Sequence, residues 1–181
     1  GIRGGGWRSW RQNFEVLILP DRFKQAEVKD LIETWGEKLR FIPTGKKGPA
    51  QKRDLALVYV TGEVLAFLDD DAFPERDWLK KAIRHFRDSR CAAVGGPALT
   101  PPKSSFWQKV SAAVFESFLG GGLARRRYLP LGEIQKVDDW PSVNLLVKRD
   151  AFEAVGGFDT AFWPGEDTKL CLDITQKLGQ E

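Results

Sequence analysis

Three consecutive aspartates, Asp69, Asp70 and Asp71, follow directly on the short apolar run at residues 64–68. The run is too short for a helix and Gly62 precedes it, so it predicts a buried strand of a parallel sheet. The acids then lie at the carboxyl end of that strand, where open α/β sheets bind ligands. Adjacent carboxylates repel one another unless a cation offsets their charge. Because hard oxygen ligands suit Mg²⁺ or Mn²⁺ shared with substrate phosphates, the pattern predicts a metal-assisted phosphate or diphosphate site.

Helix capping is the alternative explanation of the same acids. Asp71 would cap a helix that begins near Pro74, while Asp69 and Asp70 would be solvated in the preceding turn. One aspartate is enough for a cap, and three in a row exceed that requirement. The metal site is therefore the favoured interpretation.

A second acidic pair, Glu166 and Asp167, stands near the end of the chain. Apolar residues follow it at i, i+4 and i+8, namely Leu170, Ile174 and Leu178, which predicts a helix. The pair would occupy the first turn, where the helix dipole favours ionised carboxylates. Ordinary N-terminal capping explains this local pattern as well as catalytic chemistry does.

The elements that must position these acids alternate along the chain. Apolar runs at residues 14–19, 39–42, 92–94 and 142–147 predict further strands. Segments whose apolar residues recur at helical spacing lie between most of these strands. This alternation predicts right-handed βαβ units and an α/β fold with a mostly parallel sheet flanked by helices. Residues 1–12 are rich in Gly and Arg without a period, and we expect a poorly ordered or truncated lead-in there.

Composition excludes several classes of function. The formal net charge of +3 does not indicate a nucleic-acid partner. His85 is the single histidine, which argues against a histidine base or a zinc site. Cys91 and Cys171 are predicted to be buried thiols of a reducing compartment. The sequence has no apolar run of about 20 residues, the length that a membrane-spanning helix needs. We therefore expect a cytoplasmic protein, and a location at the inner face of the membrane stays open as an alternative.

A wide apolar stripe runs through residues 106–118 and is followed by Arg125, Arg126 and Arg127. Packing into the core is the expected role of this stripe. The alternative left open is that the basic, aromatic-bearing helix contacts a membrane surface or a lipid-linked partner.

Taken in order, these segments resemble the inverting family-two glycosyltransferases, which have the GT-A fold. The resemblance covers residues 13–181. The strand at 62–68 with Asp69-Asp70-Asp71 is similar to the family's DXD signature, and residues 151–159 with Gly165-Glu166-Asp167 are similar to its acceptor-side segment and terminal Glu-Asp motif. Residues 14–21 resemble the strand whose acid contacts the nucleotide base, and residues 48–53 resemble the loop and helix that hold the nucleotide.

The resemblance implies a role for each of these residues. Asp167 matches the general base, and Glu166 would orient either this base or the acceptor. Asp71 with Asp69 matches the ligands of Mn²⁺ or Mg²⁺. The residues implied in nucleotide-sugar binding are Asp21, Lys46, Arg53, Asp69 and Asp70, with Lys47 as the alternative to Lys46. The residues expected on the acceptor side are Gly95, Gly96, Trp140, Asn144 and Trp163.

The implied activity is transfer of a sugar from a nucleoside-diphosphate sugar to a glycan or lipid-linked acceptor, in envelope or polysaccharide synthesis. Residues 13–98 would form the nucleotide-sugar half and residues 99–181 the acceptor half of one domain. The family's apolar first strand has no match in residues 1–12, so we expect a fragment that lacks this strand and the C-terminal part. Asp54 stands where the family usually has Asn, which leaves the polar contacts of its helix open.

Two other functions stay open at this point. An inactive, truncated module that binds sugar nucleotides is the non-enzymatic alternative. A strand that ends in Asp-x-Asp also fits a magnesium-dependent phosphatase or phosphotransferase with an aspartyl nucleophile, although no downstream Ser/Thr and Lys elements support it.

Overall fold

The computed structural model of the protein describes residues 13–130, 132–162 and 164–180. The expected lead-in at residues 1–12 lies outside these ranges. The strands are β1 (Val16–Ile18), β2 (Leu39–Phe41), β3 (Val64–Leu68), β4 (Ala93–Gly95) and β5 (Asn144–Lys148). The α-helices are α1 (Gln25–Trp35), α2 (Pro49–Ala56), α3 (Trp78–Ile83), α4 (Phe106–Glu116), α5 (Phe118–Gly121), α6 (Arg149–Val155) and α7 (Glu166–Leu178). Short 3₁₀ segments cover Gly36–Lys38, Arg84–Arg87 and Gly122–Arg127.

The described strands form two small sheets. β1 pairs with β2 in parallel, and the second sheet has the order β3-β5-β4. β5 runs antiparallel to both of its neighbours, so β3 and β4 point the same way on either side of it. The α/β class is confirmed, but the expected mostly parallel pairing is corrected in two of the three described pairings. The predicted burial of β3 is also corrected, because only Leu65 is buried and Ala66 and Leu68 are exposed. A short apolar run specifies neither the direction of the partner strand nor which face is covered.

β5 lies at the centre of the core. Leu145, Leu146 and Val147 are buried. Leu145 and Val147 belong to one cluster, to which α6 and α7 contribute Phe152, Leu170 and Ile174. The ring of Phe152 contacts that of Phe67 of β3 at a centroid distance of 5.5 Å. Each such side chain contributes about 1.5–3 kcal/mol when it is fully buried. The core therefore fixes α7, and with it the acidic pair, against the strand that carries the aspartates.

A cleft separates the two sheets. In the described part of the chain β1 pairs only with β2, and β3 only with β5, so each strand keeps one edge free. Both free edges line a cleft of about 3590 Å³, together with the first turns of α2 and α7. The cleft is also lined by the three aspartates that follow β3, Asp69, Asp70 and Asp71.

Helix α4 departs from its expected place in the core. None of its side chains is buried, and Phe106, Trp107, Val110 and Val114 are exposed. The expected core role of this stripe is therefore wrong. Periodicity identifies the apolar face of a helix but does not say whether another element covers it.

Across the three described ranges, we find no helix with the length and apolarity that crossing a membrane requires.

Candidate functional site

Arg53 on α2 joins the two acidic motifs that the sequence presents far apart. Its Nη2 donates a hydrogen bond of 2.8 Å to Oδ1 of Asp69, and its Nη1 lies 3.5 Å from Oε1 of Glu166. Glu166 is only 5% exposed, so the guanidinium is the cation that balances this carboxylate. The plane of Arg53 also lies over the ring of Phe158, 5.6 Å from its centroid. The structure thus brings the end of β3 and the start of α7 to one site.

Asp167 is held by backbone donors on two elements. Its Oδ2 accepts a hydrogen bond of 3.1 Å from the amide of Ser142, and its Oδ1 accepts one of 2.8 Å from the amide of Thr168. Like Glu166, it lines the cleft. A carboxylate fixed in this way in the first turn of a helix is suited to accept a proton without having to reorient.

The neighbouring Asp139 supports this arrangement from behind. It accepts hydrogen bonds of 2.8 Å from Oγ1 of Thr168 and of 2.6 Å from Nη2 of Arg127. Burial by itself raises the pKa of the Asp139 carboxyl, but the hydrogen bonds from Arg127 and Thr168 outweigh it and hold this pKa below its ordinary value. Sequence reasoning missed Asp139, because it has no local pattern that separates it from a solvated charge. It grouped Arg127 with the neighbouring arginines as a candidate membrane contact, whereas the structure pairs Arg127 with Asp139.

The three consecutive aspartates have different surroundings. Asp69 is engaged by Arg53, whereas Asp70 and Asp71 are exposed on the cleft. Among the described residues no group of three or more His, Cys, Asp or Glu side chains could hold a metal ion on its own. The carboxylates of Asp71 and Asp69 nonetheless fit Mg²⁺ or Mn²⁺. These ions commonly use one or two carboxylates and complete their coordination with substrate phosphates and water.

The residues expected on the acceptor side do come together where β4 and β5 meet. A Cβ on Gly95 would lie 2.2 Å from Cγ of Trp140, and one on Gly96 would lie 2.7 Å from Nδ2 of Asn144. The indole of Trp140 donates to the carbonyl of Gly96 at 2.9 Å, and that of Trp78 donates to Oδ1 of Asn144 at 2.7 Å. Trp78 was not anticipated, because it reads as an ordinary apolar position of α3.

Of the expected acceptor-side residues, the four that the structure describes do not themselves line the cleft. Trp140 is buried, and the cleft is lined instead by the adjacent Pro141, Ser142 and Val143. Whether Gly95, Gly96, Trp140 and Asn144 act toward an acceptor stays a prediction. Trp163 lies outside the described residues.

The residues expected around the nucleotide divide into two groups. Asp21 lines the cleft and forms an ion pair of 2.7 Å with Nζ of Lys52, a residue without an assigned role in the sequence-based prediction. Lys46 is exposed and does not line the cleft, whereas Lys47 does. The structure therefore favours Lys47 over Lys46 by position, and the binding roles of all these residues stay predictions.

Asp54 has an identifiable contact. Its Oδ1 accepts a hydrogen bond of 2.9 Å from the amide of Phe158 and would lie 2.7 Å from a Cβ on Gly157, whose φ is +79°. Burial raises the pKa of the Asp54 carboxyl, and the hydrogen bond from Phe158 opposes that shift. Asp54 therefore ties α2 to the glycine turn that follows α6.

Comparison with known proteins identifies the relatives of the chain. A family model described as Glycosyl transferase family 2 matches residues 8–155. The pre-mycofactocin glycosyltransferase of Mycobacterium tuberculosis is 33% identical over 130 residues, which cover 72% of this chain and 27% of the relative. The glucosyl-dolichyl phosphate glucuronosyltransferase of Haloferax volcanii is 33% identical over 132 residues, which cover 66% of this chain and 39% of the relative.

A solved structure has the same fold. The mannosyltransferase PcManGT from Pyrobaculum calidifontis, in complex with GDP-Man and Mn²⁺, matches with a TM-score of 0.62 and 22% identity. The match covers 92% of this chain and 44% of that protein. The chain thus spans less than half of the length of each of these relatives.

Proposed function

Because the chain belongs to glycosyltransferase family 2, we propose that it carries the donor site and catalytic base of an inverting sugar transferase. The donor would be a nucleoside-diphosphate sugar, and the acceptor a hydroxyl group of a glycan or of a lipid-linked saccharide. The names of the Haloferax relative and of PcManGT, which include a dolichyl phosphate and GDP-Man, are consistent with these two substrate classes. A role in envelope or polysaccharide synthesis, at the inner face of the membrane, belongs to the same proposal.

Asp167 is the proposed general base. In a single displacement the acceptor oxygen bonds to the anomeric carbon while the bond from that carbon to the diphosphate oxygen breaks. The acceptor proton passes to a carboxylate oxygen of Asp167, and the diphosphate leaves with the bonding electrons. The amides of Ser142 and Thr168 would hold Asp167 in place for this transfer. Glu166 would orient the base through the shared first turn of α7.

Asp71, with Asp69, is the proposed ligand set for the metal ion. When bound, Mn²⁺ or Mg²⁺ supplies positive charge to the leaving diphosphate. Asp21, Lys47, Lys52 and Asp70 line the same cleft and would bind the nucleotide part of the donor.

The contact of Arg53 with both Asp69 and Glu166 is the observation that carries this proposal. A donor site at the end of β3 and a base at the start of α7 can act on one sugar only if they share a site. Arg53 spans the two elements and fixes their separation. A guanidinium suits this role because its two terminal nitrogen atoms, Nη1 and Nη2, can engage two carboxylates at once.

Isothermal titration with a panel of nucleotide sugars, with and without Mn²⁺, tests the proposal. We expect binding that depends on Mn²⁺, that Asp71→Asn abolishes and that Asp167→Asn preserves. Asp167→Asn should lower transfer by roughly 10²–10⁴-fold, the usual contribution of a general base. Asp30→Asn, an exposed acid of α1 away from the cleft, is the matched control.

Binding that needs no metal and is unchanged in Asp71→Asn would contradict the proposed donor site. Metal-dependent binding without any transfer would instead support the non-enzymatic alternative, an inactive module that binds sugar nucleotides. Family membership favours either outcome over the aspartyl phosphatase, which should hydrolyse a generic aryl phosphate.

A further inference from the structure

Helices α4 and α5 and the 3₁₀ segment at Gly122–Arg127 expose a group of large apolar side chains. We call them the aromatic patch: Phe106, Trp107, Val110, Phe118, Leu119 and Leu123. The exposed fraction of the residue is 68% for Phe118 and 98% for Leu119. Single exposed apolar side chains are ordinary on soluble proteins, but a large contiguous group marks a surface that binds something.

The three segments that carry the patch pack on one another. Phe106 and Val110 stand one turn apart on α4, and the ring of Phe106 contacts that of Trp107 at 5.3 Å. Gly120 and Gly121 allow α5 to approach α4 closely: a Cβ on either would lie within 2.3 Å of a carbonyl oxygen of α4. Close backbone packing thus joins α5, which carries Phe118 and Leu119, to the C-terminal end of α4.

Charge indicates what covers the patch. Residues 103–128 contain five basic side chains, Lys103, Lys109, Arg125, Arg126 and Arg127, and Glu116 as the single acid. Arg127 is paired with Asp139, whereas Arg125 lies over the ring of Phe118, 5.8 Å from its centroid. A cation placed directly beside exposed apolar side chains is the arrangement of segments that lie at the boundary between lipid headgroups and acyl chains.

We propose that the aromatic patch docks on the surface of an anionic lipid bilayer. The apolar side chains would enter the boundary of the acyl region, and Arg125, Arg126, Lys103 and Lys109 would bind lipid phosphates. This inference rests on the membrane location in the proposed function and names the surface that makes the contact. It uses no residue of the cleft, so its test can fail while the proposed transfer chemistry stands.

Sedimentation with lipid vesicles tests the proposal. The purified protein is mixed with vesicles of phosphatidylcholine alone or of phosphatidylcholine with phosphatidylglycerol. We expect binding to the anionic vesicles that falls with added salt, and that weakens about fivefold for each cation removed in Arg125→Ser and Arg126→Ser. The pair Phe118→Glu and Leu119→Glu should abolish binding. The matched control, Leu31→Glu with Val58→Glu, adds the same charge at exposed apolar positions outside the patch and should bind normally.

Circular dichroism of each variant must match that of the parent protein. If the glutamate pair does not fold, the arginine variants carry the test. Equal binding by the patch variants and the control would overturn the proposal. Absence of vesicle binding, together with self-association that the patch variants abolish in analytical ultracentrifugation, would also overturn it, because the patch would then be a protein interface.

Discussion

Arg53 contacts two carboxylates that belong to separate elements and separate sequence motifs. Asp69 is partly exposed, whereas Glu166 is buried and has the guanidinium as its nearby cation. Loss of one partner from a buried pair is costly because the remaining charge stays desolvated. At the scale of the single residue, the integrity of the site therefore depends on a side chain that need not touch any reacting atom.

Replacement of Arg53 tests this dependence. We expect Arg53→Met to lower the free energy of unfolding by about 2–3 kcal/mol, less than for a fully buried pair because Asp69 is partly solvated. Arg53→Lys should cost about 1 kcal/mol, since one ammonium group cannot reproduce the forked contact. Urea denaturation followed by tryptophan fluorescence measures both. Lys52→Met, next to it on α2, removes an ion pair with the exposed Asp21 and should cost less than about 1 kcal/mol. Equal losses at the two positions would contradict the central role of Arg53.

Asp139 predicts a dependence of stability on pH. Its folded pKa lies below the ordinary value, so the folded state binds fewer protons than the unfolded state as pH falls. The stabilisation by its ion pair is present above the unfolded pKa of about 3.9 and is lost as pH falls through the lower folded value. We expect Asp139→Asn to be less stable than the parent at pH 6, and the difference in stability to shrink as pH falls below about 3.9. Denaturation across this range checks the effect. A gap independent of pH would show that the variant acts through packing instead.

At the scale of the elements, β4 packs closely against the segment before β5, which contains Trp140. Gly95→Ala would place a methyl group within 2.2 Å of the buried Trp140 ring, which must shift. Overpacking of this kind costs about 1–3 kcal/mol. We also expect weaker transfer, because the displaced segment carries the Ser142 amide that holds Asp167. Thermal unfolding and a transfer assay measure the two effects. Gly62→Ala, where a Cβ would meet its nearest neighbour at an ordinary 3.6 Å, should change neither.

The elements also separate what the sequence predicts from what it does not. The apolar run at residues 64–68 gave β3 with its observed bounds, and the spacing of Leu170 and Ile174 placed Glu166 and Asp167 in the first turn of α7. The bounds hold because each depends on a local pattern of apolar residues, although β3 is less buried than predicted. The direction of β5 and the exposure of α4 depend on which element packs against them, and no local pattern specifies that. The same limit explains why Asp139 and Trp78 were missed.

At the scale of the whole molecule, the central sheet mixes the two predicted halves of the chain. β5 belongs to residues 99–181 and lies between β3 and β4, which belong to residues 13–98. The boundary near residue 98 itself stays a prediction. Because Asp54 and Arg53 on α2 contact Phe158 and Glu166, the halves are joined at the site as well as in the sheet. Changes on either side of the cleft should therefore affect both the proposed donor site and the proposed acceptor side.

Within the described residues β3 pairs only with β5, and its other edge makes a final prediction about the exchange of its amide protons with deuterated solvent. The bond from the Arg149 amide to the carbonyl of Glu63 sets the alternation of the ladder, so the amides of Leu65 and Phe67 donate to β5. Those of Val64 and Ala66 then face the cleft. We expect Val64 and Ala66 to exchange far faster than their neighbours in an NMR time course. Uniformly slow exchange along β3 would mean instead that this edge forms backbone hydrogen bonds to another segment in solution.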